Sequence, residues 1–173
     1  GAGLIVTVDC GSASHAAVQA ATSAGIDVIV TDHHQVSDPL PAAAAVVNPC
    51  RPDCDSQMSF LSGAGVCFYL VIALRRQLRR AGFWKEGAEP NLRSYCDLVA
   101  MGTVADMVPL CAENRVLVRT GLDVLNTAPR PGMAGLMAAA GVAPPFADAE
   151  DLAFRLAPRI NAAGRMAHAM AAF

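Results

Sequence analysis

"VIVTDHHQVSDPLP", residues 28–41, starts as an unbroken apolar run rich in β-branched residues and stops at an acid followed by two adjacent histidines, Asp32, His33 and His34. Such a run, without polar alternation, reads as a strand buried on both faces, the habit of parallel sheets. Upstream, "LIVTVD" (4–9) has the same character and also ends in an acid, Asp9. Between the two, "GSASHAAVQAATSAG" (11–25) offers Ser12 and Ser14 as helix caps, spaces its apolar positions helically and stops at Gly25. Downstream, "AAAVVN" (43–48) reads as a third strand, closed by the turn former Asn48-Pro49. Strand, helix and strand in this order make a βαβ unit with parallel pairing and a right-handed crossover.

Beyond residue 60 the pattern becomes helical. "GAGVCFYLVIALRRQLRRAG" (63–82) predicts a long helix with an apolar first half and a basic end, a charge placement that the helix dipole favours. Further helices are predicted over 91–108, 114–126 and 132–141, joined by the Pro-rich connectors 127–132 and 141–150. The expected fold class is α/β: a parallel sheet of βαβ units over 1–60, then a mainly helical part over 61–173.

Composition narrows the function classes. Hydrophobic residues make up 54% of the 173, which excludes a disordered segment and allows a real core. No apolar run reaches the ~18–20 residues of a membrane span, and no basic n-region opens the chain. Six cysteines are scattered, several in apolar segments, which suits free thiols in a reducing cytoplasm. Cys50 and Cys54 form a CxxxC, but no second pair stands at zinc-finger spacing. The net charge of −2 does not mark the chain as one that binds nucleic acid by bulk electrostatics, so any anionic substrate must be held by a local patch. Nearly all basic residues are arginines, whose fork suits phosphate.

The two strand ends carry the chemistry. Ligands of open α/β sheets bind beyond the carboxyl ends of the strands. Neighbouring parallel strands lie ~4.8 Å apart, so Asp9 can converge with Asp32, His33 and His34 on one ion. Carboxylate and imidazole together suit manganese, magnesium or zinc, and the residues do not choose among them. Acids at strand ends also cap helices, and a histidine pair in a loop is also found simply solvated.

"VTVDCG" followed by "VIVTDHHQ" resembles the paired motifs of the DHH phosphoesterase superfamily. The segments "VVNPCRPDC…LSGAGVCFYL" (46–70), "DLVAMGTVADMVPLCAENR" (97–115) and "APRINAAGRM" (157–166) resemble its RecJ-like branch of single-strand-specific exonucleases, in order and over nearly the whole chain. The resemblance implies a two-metal hydrolysis of phosphodiester bonds in single-stranded DNA, 5′ to 3′, with Mn2+ or Mg2+, in DNA repair and recombination. It implies Asp9, His33 and Asp106 as metal ligands, His34 against the scissile phosphate and Asp32 orienting a histidine. It also implies Arg159, Asn161 and Arg165 beside the substrate phosphates, although both arginines also suit ordinary surface positions.

Two segments of the family are not found in these residues: an Asp-rich motif ahead of the strand that begins at Leu4, and a C-terminal substrate-binding domain. The expectation is an internal piece of a longer enzyme, inactive as a nuclease alone. Two other readings stay open. One is a DHH phosphodiesterase acting on short oligonucleotides or cyclic dinucleotides, and the other is a non-catalytic module that keeps the fold.

Overall fold

The computed structural model describes residues 1–166, with side chains described through 162. Its elements are β1 (Leu4–Val8), α1 (His15–Ser23), β2 (Asp27–Thr31), β3 (Ala45–Val47), α2 (Gly63–Arg80), a 3-10 turn (Leu92–Tyr95), α3 (Cys96–Ala105), α4 (Ala112–Thr127), α5 (Pro131–Ala140), a π-helical turn (Asp151–Leu156) and α6 (Ala157–Met166). They form two compact units, Gly1–Gly87 and the residues from Ala88 onward.

In the first unit the sheet is parallel with order β1-β2-β3, as the βαβ reading requires. Val8 pairs with Thr31, and Thr31 with Val47, so the three strands end in step. Val28, Val30 and Val46 pack with Val18 of α1 into a small core, with Val30 fully buried. Burying such a side chain contributes about 1.5–3 kcal/mol. The expectation of a buried first strand is overturned. Leu4, Val6 and Val8 are 51%, 46% and 46% exposed. The cause is position: among the described residues β1 pairs only with β2 and forms an edge of the sheet, while α1 packs on β2.

In the second unit, α3 and α4 pack closely because Gly121 has no side chain. A Cβ there would lie 2.2 Å from the Cys96 carbonyl oxygen. Ala100, Leu125, Met137, Leu152 and Leu156 form the centre of its core. Arg130 donates to the buried carboxylate of Asp97 from Nε at 2.6 Å and Nη2 at 2.8 Å. The helix expected over 91–108 is interrupted. Asn91 accepts from the Arg93 amide at 3.1 Å and Ser94 donates back to the Asn91 carbonyl at 2.8 Å, so local side-chain bonds hold a 3-10 turn before α3 begins. No helix among the described residues is long and apolar enough to cross a membrane.

Candidate metal centre

The two strand ends are tied together by backbone bonds. The Asp9 amide donates to the Thr31 carbonyl at 3.0 Å, and the Asp32 amide donates to the Val47 carbonyl at 3.1 Å. Asp9 turns out of the sheet at φ 64, in the left-handed region where aspartate is among the better tolerated residues. Its carboxylate therefore leaves the strand direction and meets the loop that follows β2. Oδ1 of Asp9 lies 3.0 Å from Nε2 of His33. One ligand atom each of Asp9, His33 and His34 falls within 4.8 Å of the others. The two imidazoles are tilted by 56° with centroids 4.4 Å apart, so they offer nitrogens in different directions. His33 is nearly enclosed, its side chain 11% exposed, whereas that of His34 is 60% exposed.

Asp32 stands behind this group, only 2% exposed. Its Oδ2 accepts from the Ser12 amide at 2.9 Å. Its Oδ1 accepts from the His33 amide at 2.8 Å, the His34 amide at 3.3 Å and Nδ1 of His34 at 2.7 Å. Burial by itself would raise the pKa of this carboxyl. The hydrogen bonds from Ser12, His34 and His33 outweigh it and hold the group well below the usual carboxylate range. Because Asp32 engages Nδ1, His34 presents Nε2 outward.

A third layer supports the loop. Asn48, 3% exposed, donates from Nδ2 to Ser12 Oγ at 2.8 Å and to the His34 carbonyl at 2.9 Å, and accepts from the Cys50 amide at 2.8 Å. Cys50 donates its thiol to the His33 carbonyl at 3.1 Å. Burial pushes that thiol's pKa up, with the Asp32 charge adding, which keeps the proton the bond requires. All six cysteines are free thiols.

The donor set, one carboxylate and two imidazoles, suits a divalent ion without choosing which. Two adjacent ligands of an octahedral ion at about 2.1 Å lie roughly 3.0 Å apart, which is the separation of Asp9 Oδ1 and His33 Nε2. A nearby pocket of about 470 Å³, lined in part by Asn48, Arg51, Met58 and Tyr69, does not include Asp9, His33 or His34.

The other residues singled out in the sequence lie in the second unit. Asp106 is exposed at the C-cap of α3. Arg159 and Asn161 are exposed on α6, and Arg159 donates to the Arg155 carbonyl. Arg165 lies in α6, and its side chain is outside the described residues. Three residues were undervalued by sequence reasoning. Ser12 does not cap α1, which begins at His15 after Ser14; it is 1% exposed and binds Asp32 and Asn48. Asn48 read only as a turn former, although a buried asparagine after a strand is itself a signal of a hydrogen-bonded junction. Gly63, the first residue of the stretch 63–82 read as a long helix, is the first residue of α2.

A profile described as the DHH family, N-terminal domain, matches residues 3–103. The chain belongs to the DHH family. Within that family it is 51% identical over 169 residues to the single-stranded-DNA-specific exonuclease RecJ of Escherichia coli strain K12, an alignment covering 96% of this chain and 29% of the relative. It is 39% identical over 166 residues to the RecJ of Thermus thermophilus, covering 96% of this chain and 23% of that protein. Among solved structures, the Thermus thermophilus RecJ in complex with Mn2+ superposes with a TM-score of 0.80 at 39% identity, covering 98% of this chain and 24% of that one. Its complex with Mg2+ superposes with a TM-score of 0.67 at 36% identity, covering 98% and 22%. This DHH chain therefore spans about three-tenths of the length of the E. coli relative.

Proposed function

We propose that the chain carries the strand-end metal site of a RecJ-like exonuclease that hydrolyses single-stranded DNA from the 5′ end with Mn2+ or Mg2+, in cytoplasmic DNA repair and recombination. The observation that carries this reading is the meeting of Asp9, His33 and His34 at adjacent strand ends, with Asp32 buried behind His34. The similarity to RecJ proteins, one of them solved with Mn2+ and with Mg2+, supports it.

When bound, a pair of divalent ions supplies an activated water and charge stabilisation at the attacking and leaving oxygens of a phosphodiester. In this reading the Asp9 carboxylate and the His33 imidazole would hold ions, and Asp106 would be a further ligand. Asp32 fixes the His34 ring through Nδ1, so whatever His34 offers to substrate it offers at Nε2. A proton carried at that atom would let it donate a hydrogen bond to a phosphate oxygen on which charge develops. Arg159, Asn161 and Arg165 hold neighbouring phosphates, the arginines as bidentate clamps.

The test uses the full-length protein that contains this segment, with labelled single- and double-stranded DNA and either ion or a chelator. The expected result is metal-dependent loss of nucleotides from single strands alone, abolished by Asp9→Asn. Cleavage confined to short oligonucleotides or cyclic dinucleotides would assign the chain to another DHH activity. No cleavage of any of these would leave a binding module.

A further inference from the structure

We propose that Gly63 is a positioning residue for the Asp9 carboxylate: α2 starts with a glycine because any side chain there would push Asp9 off the metal centre. The proposal rests on the metal-site reading above. A Cβ built on Gly63 would lie 2.3 Å from Asp9 Oδ1 and 2.6 Å from both Asp9 Cβ and Cγ. Rotating the carboxylate cannot clear this contact, because Asp9 Cβ is fixed by its own backbone. That backbone is held at φ 64 and by the hydrogen bond its N–H donates to the Thr31 carbonyl at 3.0 Å.

The helix start cannot yield easily either. Ser62, 1% exposed, caps α2 by accepting the Gly65 amide at 3.1 Å, and its carbonyl accepts the Val66 amide at 2.9 Å. Leu61 just before it is 2% exposed. Both partners are thus anchored, and only the missing side chain lets them touch. The approach places the first turn of the 18-residue α2 directly against the carboxylate. Gly65 differs. A Cβ there would meet Leu61 Cδ2 at 3.3 Å, the far end of a flexible side chain. Glycine is otherwise a poor choice in a helix, so at Gly63 it has a local geometric reason.

The experiment is Mn2+ titration by calorimetry on the full-length protein, comparing wild type, Gly63→Ala, Gly65→Ala, Asp9→Asn and the Gly63→Ala/Asp9→Asn pair, with circular dichroism to score folding. Gly63→Ala is expected to weaken Mn2+ binding about 10- to 100-fold, the range seen when a residue that orients a ligand is lost. Gly65→Ala should bind as wild type. In the Asp9→Asn background, Gly63→Ala should add nothing further, because the ligand it disturbs is already gone. A folded Gly63→Ala that binds Mn2+ as tightly as wild type overturns the proposal, as does a full additional loss in the Asp9→Asn background. If Gly63→Ala fails to fold, recovery of the fold by Asp9→Gly, which removes all three contact atoms, supports the contact, and no recovery overturns it. Undiminished Mn2+ binding in Asp9→Asn itself would refute the metal-site reading instead, so the two failures are told apart.

Discussion

Replacing Asp32 by asparagine removes one charge and turns one acceptor into a donor at a position only 2% exposed. The shape barely changes, so the effect isolates the hydrogen bonds. With the carbonyl oxygen kept at Oδ1, the new NH2 group faces the Ser12 amide, which the carboxylate accepted at 2.9 Å. Ser12 is 1% exposed, so its amide loses its partner away from water. An unmade bond of that kind costs about 1–3 kcal/mol. The His33 amide keeps an oxygen at Oδ1 but a neutral one, a weakening of about 1 kcal/mol. The ring bond to His34 counts for little, since that side chain is 60% exposed, and the His34 amide bond is long at 3.3 Å. The sum is about 3 kcal/mol, a large share of the 5–15 kcal/mol that holds a typical domain. At about 2–4 °C per kcal/mol, the unfolding midpoint should fall by about 6–12 °C.

The pH dependence follows with a definite sign. Asp32's folded pKa is lowered, so its stabilisation is complete above the unfolded carboxyl value of about 3.9 and is lost as the pH falls through the depressed folded value. The gap between wild type and Asp32→Asn should therefore shrink as the pH falls below about 4. Thermal unfolding followed by circular dichroism at a series of pH values reads both. A midpoint shift under about 1 °C at neutral pH, or a gap that widens in acid, would refute the reasoning.

Other outcomes are open to equally direct measurement. His33→Ala should weaken Mn2+ binding while His34→Ala spares it and lowers turnover, because a ligand fixes the ion and a phosphate contact acts on developing charge; equal loss of metal in the two, read by calorimetric titration, would sink that division. Arg130→Ala should cost about 3 kcal/mol of unfolding free energy, because it leaves the fully buried Asp97 carboxylate without its bidentate partner; a denaturant midpoint within error of wild type would count against it. The 173-residue chain expressed by itself should bind divalent metal weakly and leave labelled single-stranded DNA intact, because two ions held against their mutual repulsion need more carboxylates than Asp9 and Asp106 provide; robust Mn2+-dependent degradation by the chain alone would overturn the assignment of ligand roles.

Local pattern in the sequence was enough for the parallel sheet, because β-branched runs without alternation, separated by one capped helical stretch, admit few other arrangements. It was enough as well for Asp9 and the Asp32-His33-His34 group, since parallel strands that end together must bring their terminal side chains to one edge. What local pattern could not supply is whatever depends on residues distant in the chain. Burial of β1 was misjudged because an apolar run records what a strand can bury, whereas its neighbours decide what it does bury. The 3-10 turn before α3 escaped notice because one asparagine and one serine there outcompete helical periodicity. Ser12 and Asn48 looked like a cap and a turn former, yet their donors and acceptors meet across 36 residues, a pairing that only the closed sheet creates. Gly63 and Gly65 are indistinguishable as letters two apart. The tertiary structure separates them, because steric exclusion acts between atoms in space, and only at Gly63 does the Asp9 carboxylate occupy the volume that a side chain would need.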